Sequence, residues 1–307
     1  MEKIGGAFAV DHRRPKISLF GCEIDPLSKS EAVSVILGWT RDNAGCRYIV
    51  TPNVHHLVLL QKLASLQKAY EGADLVLVDG RPVGWALKLM KNPVPEVIPG
   101  SDLVPALFDS ATQDHRLTVF LLGAGPGVAQ RAAKVIESRW PHVRVVGAFS
   151  PSMAFEKDPD ELARIVTMVR EAAPDLLIIG LGGPKQEVWA SSFAPQLKAK
   201  VAICAGATID FMSGNRRRAP VWMQKLGFEW LFRAMREPLR LGPRYLRDAV
   251  AFPMIIARSL FTRVAFEDAG AADRLLRRAI DTAPYSPQHW DTSGATNRRP
   301  WLFGKRP

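Results

Sequence analysis

The chain has 307 residues, 47% of them hydrophobic, and sets 41 Lys and Arg against 30 Asp and Glu, a net charge of +11. That is enough apolar material for one large domain or two small ones, and it excludes a chain that is disordered throughout. Three cysteines, Cys22, Cys46 and Cys204, stand at no metal-clip or CxxC spacing, which argues against a disulfide scaffold or a zinc module and for reduced, buried thiols in a cytosolic protein.

The first sixteen residues hold no apolar run of signal-peptide length, and no run of about 18 apolar residues occurs anywhere. The nearest, residues 249–260, is broken by Pro253 and Arg258. The charge is uneven. Residues 1–212 carry a net +1, whereas residues 213–263 hold 11 basic and 3 acidic residues, a net +8. A stretch of that sign should meet something anionic, such as a lipid surface, a phosphate-bearing substrate or nucleic acid.

In chain order, residues 16–21 (KISLFG) predict a strand and 28–39 a helix, with Ser28 as N-cap and Glu31 at the capping-box position. Residues 47–51 predict a strand and 54–70 one helix of apolar period 3.6. Residues 74–78 (DLVLV) form a buried strand ending in Asp79-Gly80, and helices follow over 81–90 and 102–110. The strand 117–122 runs into Gly123-Ala124-Gly125-Pro126-Gly127 and a helix to Arg139. Residues 143–147 predict a strand, 160–172 a helix, 175–179 a strand that meets Gly180-Leu181-Gly182-Gly183-Pro184, 188–193 a helix and 201–204 a strand. Continuous apolar strands between helices predict an α/β fold, a Rossmann-like and mostly parallel sheet with helices on both faces. Ligands in such sheets bind at the carboxyl ends of the strands, where these turns lie. The expected division is an extension over 1–16, the α/β core over 17–212, a basic helical appendage over 213–263 and a mobile tail over 264–307.

The turn Gly123, Gly125, Gly127 opens a helix whose free N–H groups suit a phosphate, although its spacing is not GxGxxG and a plain tight turn would also use it. Asp79 at a strand end is either a general base or an Asp-Gly turn residue. Asp158-Pro159-Asp160 reads as a helix start rather than a metal clamp. Lys185 can meet a diphosphate and Gln186 a sugar or base, or both can sit in a solvated loop. Arg216-Arg217-Arg218 is a lipid or nucleic-acid patch or a solvated run, and the adjacent His55 and His56 read as structural, since they are not at the i,i+4 spacing of a metal pair.

Several pieces in order resemble the WecG/TagA/CpsF family of bacterial glycosyltransferases over about residues 17–263: Gly21-Cys22-Glu23-Ile24-Asp25-Pro26-Leu27, Thr51-Pro52-Asn53, Asp79-Gly80-Arg81-Pro82-Val83-Gly84, Gly100-Ser101-Asp102-Leu103, Gly182-Gly183-Pro184-Lys185-Gln186-Glu187, Ala205-Gly206-Ala207-Thr208-Ile209-Asp210-Phe211, and the run from Glu229 to Arg240. The resemblance implies an inverting transfer of sugar, without a metal or other cofactor, from a UDP-sugar to a polyprenyl-diphosphate-linked saccharide in surface or exopolysaccharide biosynthesis. It implies Asp79 as general base. Thr51, Asn53, Gly100, Asp102, Gln186, Arg233, Arg240 and Arg244 are implied on the substrates, and Gly123, Gly125, Gly127, Lys185 and Asp210 on the nucleotide. Its partners would be the UDP-sugar, the lipid-linked acceptor and an anionic membrane surface on the cytoplasmic side, with no nucleic acid; a homo-oligomer stays open. Val97 stands where many members have arginine, and Arg81 is a candidate to replace it. A nucleotide-dependent oxidoreductase on the same kind of fold is the alternative, but it would want GxGxxG.

Overall fold

The computed structural model describes residues 15–282, and side chains over 15–261. The extension before residue 15 lies outside the described residues; of the tail expected over 264–307, residues 264–282 continue a helix and those beyond 282 lie outside the described residues.

The chain opens with a hairpin, β1 (Ile17–Leu19) and β2 (Cys22–Ile24), paired antiparallel and closed by Leu19 opposite Cys22. Its two-residue turn, Phe20 and Gly21, has positive φ at both positions, 48° and 93°, the backbone that a tight hairpin of this hand requires. Helix α1 (Lys29–Trp39) starts at Ser28 with the complete capping box to Glu31. Strand β3 (Arg47–Val50) leads to α2 (Val54–Leu60) and α3 (Ala64–Glu71), where the apolar period alone predicts one helix; the helical run breaks over Gln61 to Leu63. There follow β4 (Leu75–Val76), α4 (Arg81–Leu89), α5 (Gly100–Asp109), β5 (Leu117–Gly123), α6 (Val128–Arg139), β6 (Val143–Phe149), α7 (Pro159–Ala172), β7 (Leu176–Gly180), α8 (Lys185–Phe193), β8 (Val201–Cys204) and α9 (Thr208–Met212). Asp158 caps α7 by accepting the backbone N–H groups of Asp160 and Glu161, so Asp158-Pro159-Asp160 is a helix start.

The sheet is six-stranded and parallel, in the order β4-β3-β8-β7-β5-β6. Alternate residues of each strand feed two cores. Phe120 and Leu122 of β5 join Val50, Val76, Leu177, Ile179 and Cys204 on one face, beneath α2, α3, α4, α7 and α8. Val119 and Leu121 join Ile49, Leu75, Ile178 and Ile203 on the other, beneath α1, α5, α6 and α9. This is the α/β architecture with both faces covered that the sequence predicts. The cysteines are unpaired, and burial pushes Cys22 up to about 12, as it does Cys46.

Residues 213–260 form the basic helical appendage: α10 (Val221–Lys225), α11 (Glu229–Arg236) and the start of α12 (Pro238–Thr282). It is fixed to the core by buried contacts. Phe252 packs edge-on against Phe20 at 6.1 Å, and Asp248, buried, accepts from His55 Nδ1 at 2.9 Å. Gly227 lies so close to α4 that a Cβ there would be 2.6 Å from the Trp85 ring. The described residues through Leu260 make one compact unit, and a second begins at Phe261. Among the described residues, no helix is long and apolar enough to cross a membrane.

Candidate active site

The strand order alone gathers the predicted residues. Strands β4, β3, β8 and β7 are neighbours, so Asp79, Asn53, Gly206 and the loop into α8 emerge side by side at one sheet edge. The Asp79 N–H donates to the Pro52 carbonyl (3.0 Å), and Gly80, at φ 87°, turns the chain into α4. Asn53 caps α2, its Oδ1 accepting the N–H groups of His55 (3.0 Å) and His56 (3.4 Å), and its own backbone N–H donates to His56 Nδ1 at 3.3 Å. Thr51 is buried and donates to the Cys204 carbonyl at 3.2 Å, stitching β3 to β8.

Burial pushes the Asp79 carboxyl above its ordinary range. His56, Arg233, Asn53 and Arg218 pull the other way without cancelling it. A carboxylate with raised affinity for a proton, at the mouth of a parallel sheet, is suited to accept one from a substrate hydroxyl.

The triple-arginine run divides. Arg217 is exposed, Arg216 turns to Asp210 (3.4 Å) and Glu237, and Arg218 turns inward. Arg218 Nη1 pairs with Asp102 in the first turn of α5, and its Nε lies 3.7 Å from Glu229 at the start of α11. Burial raises Glu229, opposed by Arg218 and Arg233 and reinforced by Asp79 and Asp102. Asp79, Asp102 and Glu229 therefore share one field with Arg218 and Arg233. Gly100 serves packing here, since a Cβ on it would meet the Ala205 backbone at 2.8 Å. Arg244, its guanidinium 5.0 Å over the Tyr245 ring, acts on His56, whereas Arg240 is exposed beside Glu237.

The loop into α8 also divides. Lys185 points outward to Glu156 (2.6 Å) and the Met153 carbonyl (3.0 Å). Gln186 and Glu187 point in and are buried, with Gln186 Nε2 donating to Glu187 Oε1 at 2.7 Å and Glu187 Oε1 3.2 Å from His56 Nε2. At the β5–α6 turn, Gly123 (φ 123°) lies against β7, where a Cβ would come within 2.5 Å of the Gly180 backbone; Gly127 (φ 74°) caps α6, and Gly125 has room around it. Asn215 joins this turn's helix to Asp210, accepting from Arg131 at 3.5 Å and donating to Asp210 at 2.7 Å.

Four of these residues, His56, Glu187, Arg218 and Glu229, bring ionisable side chains into the site without being singled out by sequence as its machinery. Arg218 and Glu229 lay inside quoted runs, and only the fold shows which way each side chain turns.

A model of the Glycosyl transferase WecG/TagA/CpsF family matches residues 17–265. The chain belongs to that family. Among similar proteins is an N-acetylglucosaminyldiphosphoundecaprenol N-acetyl-beta-D-mannosaminyltransferase of Staphylococcus aureus strain MRSA252, 28% identical over 232 residues, which are 74% of this chain and 87% of the relative. A protein of the same name from strain MW2 is 27% identical over the same shares. The family sets aside the oxidoreductase alternative. In this glycosyltransferase the appendage also exposes large apolar side chains, among them Trp222 (60%), Met235 (63%) and Leu239 (95%), close in sequence to the exposed Arg236, Arg240 and Arg247.

Proposed function

We propose that this glycosyltransferase moves a sugar from a UDP-sugar to a polyprenyl-diphosphate-linked saccharide, with inversion at the anomeric carbon and Asp79 as general base. The observation that carries the reading is the Asp79 carboxylate itself, held at the strand edge with its proton affinity raised and with Arg218 and Arg233 beside it. In the step, the acceptor hydroxyl oxygen bonds to the anomeric carbon while its proton passes to Asp79. The bond from that carbon to the phosphate oxygen breaks, and UDP leaves with the electron pair. Arginines and helix N-termini meet the charge that grows on the leaving phosphate, so no metal is required. The relatives' name supports a diphosphoundecaprenol-linked N-acetylglucosamine as the first acceptor to try and an N-acetylmannosamine donor as the first sugar.

The test is UDP release from a panel of UDP-sugars, with and without a synthetic prenyl-diphosphate-sugar acceptor, in EDTA. Acceptor-dependent release from one donor is the expected result. No release from any donor, or release that EDTA abolishes, contradicts the reading.

The +8 appendage and its exposed apolar residues support docking on the cytoplasmic face of an anionic membrane, where each basic side chain near the lipid contributes about 1 kcal/mol. Met235→Asp with Leu239→Asp should lower pelleting with phosphatidylglycerol liposomes severalfold and leave the melting temperature unchanged, because both side chains already face solvent. Unchanged pelleting would count against docking through this surface.

A further inference from the structure

Helix α4 of the core follows Asp79-Gly80 directly. Its inward stripe is complete: Val83, Ala86 and Leu87, with Met90 just past its end, are buried at the i, i+3, i+4, i+7 spacing of a helix laid on a core. The opposite face of such a helix is ordinarily polar. Here it carries Trp85, 52% exposed, and one turn later Leu89, 60% exposed. Among the described residues of the core, the other exposed large apolar side chains are Val135 on α6 and Met153 ahead of α7, one to an element. A lone exposed apolar side chain calls for no account, whereas two on one helix face that runs into a larger apolar surface do.

That larger surface is the appendage. Gly227, in the turn between α10 and α11, lies against α4: a Cβ on it would be 2.6 Å from the Trp85 ring and 3.1 Å from Arg81 Cβ. Its neighbours in the chain, Leu226 and Phe228, are both exposed, so the Trp85 ring and the apolar side chains of the appendage adjoin.

The face is also basic. Residues 80–95 hold Arg81, Lys88 and Lys91 and no acidic residue. All three basic side chains are exposed, and Arg81 and Lys88 share the outer face with Trp85 and Leu89. A second copy of this chain seated on this face by a two-fold axis would set these cations against their own kind. An anionic bilayer fits both features: apolar side chains enter the headgroup boundary, the long cationic ones reach lipid phosphates, and a tryptophan is at home at that depth.

We propose that α4 is a second lipid-contacting element, with Trp85 and Leu89 in the headgroup boundary of an anionic membrane and Lys88 and Lys91 on its phosphates. The core then rests on the membrane as well as the appendage. The inference rests on the reading of the appendage as a membrane dock. Because α4 begins two residues after Asp79, holding its outer face on the lipid sets the height of that carboxylate over the acceptor's diphosphate.

The experiment compares the full chain with Trp85→Gln/Leu89→Gln and with Lys88→Gln/Lys91→Gln. Pelleting with phosphatidylglycerol vesicles should fall severalfold in the apolar pair and about tenfold in the lysine pair at low salt, and the lysine effect should fade at high salt. UDP release should fall alongside when the prenyl-diphosphate acceptor is embedded in those vesicles. It should be unchanged with a short, water-soluble prenyl acceptor and no vesicles. Should the apolar pair loosen the Gly227 contact and lower the melting temperature, the lysine pair decides, since its side chains face solvent.

Unchanged pelleting in both pairs overturns the inference, and so does an equal loss of rate on the soluble and the embedded acceptor in the deciding pair. A chain that sediments as a dimer without lipid, and as a monomer once Leu89→Gln is introduced, also overturns it, since a second copy would then cover α4. If the unaltered chain does not pellet with phosphatidylglycerol vesicles, the docking reading itself fails. If Met235→Asp/Leu239→Asp lowers pelleting and neither α4 pair does, only the role of α4 fails.

Discussion

Asp79→Asn should lower kcat by about 10²–10⁴-fold, leave the donor's KM close to that of the unaltered protein, and raise the melting temperature at neutral pH. The first two outcomes follow from removing only the atom that takes the proton. The third follows from the sign of its shift. A carboxyl raised in the folded state above its unfolded value costs the fold stability as pH rises from the unfolded value to the folded one, and above the folded value the full cost is present and constant. Burial is the leading cause of that rise at Asp79, and His56, Arg233, Asn53 and Arg218 only partly offset it. The amide relieves this cost. The stabilisation should therefore shrink on acidification, as the carboxyl of the unaltered protein becomes protonated. An Asp-Gly turn residue predicts the reverse, a lower melting temperature with turnover largely kept. Steady-state rates and thermal melts at two pH values separate the two roles in one pair of proteins. Full turnover by Asp79→Asn would remove this residue from the mechanism.

Much of the fold was legible because its signals are local. The capping box at Ser28 and Glu31 needs four residues, and the Asp158 cap with Pro159 fewer. The apolar runs 117–122 and 175–179 have the length and uniformity of strands buried on both faces, and that is where they lie. What was not legible depends on pairing. Strand β2 is three residues of mixed character, Cys22-Glu23-Ile24, and becomes a strand only because Phe20-Gly21 folds it back on β1. The break between α2 and α3 leaves the apolar period almost intact, so periodicity alone carried one helix through it.

The site shows the same division. Asp79 and Asn53 are placed by topology at strand ends; position alone left Asp79 as either a base or a turn residue, and Asn53 was singled out only by the family resemblance. Residues whose role depends on which way a side chain turns were not. Gln186 and Lys185 are adjacent, yet one is buried against Glu187 and the other exposed on Glu156. Arg216, Arg217 and Arg218 look equivalent as a charge run, but one faces Asp210 and Glu237, one solvent and one Asp102. Glu187 carries no sign in sequence that it is buried; its partner His56 is 131 residues away in the chain.

Arg218 provides the second large expected effect. Arg218→Met should cost about 1–3 kcal/mol of stability in urea unfolding and about 100-fold in kcat/KM. The stability figure is set below that of a fully buried pair because the Asp102 side chain is 38% exposed. Removing the guanidinium leaves Asp79, Asp102 and Glu229 in one field with Arg233 as the remaining arginine. Burial already raises Asp79 and Glu229, and both should rise further. The acid limb of the rate profile then moves to higher pH as stability falls. The same substitution unties α11 from α5, because Arg218 is the side chain that touches both Asp102 and Glu229. Adding Glu229→Gln should return part of the stability, since the neutral amide no longer needs a cation, but little of the activity, since in the proposed mechanism the leaving diphosphate would still lack that arginine. Recovery of both together would mean that Arg218 serves only to neutralise Glu229; recovery of neither would mean that the tie between α5 and α11 runs through Asp102 alone.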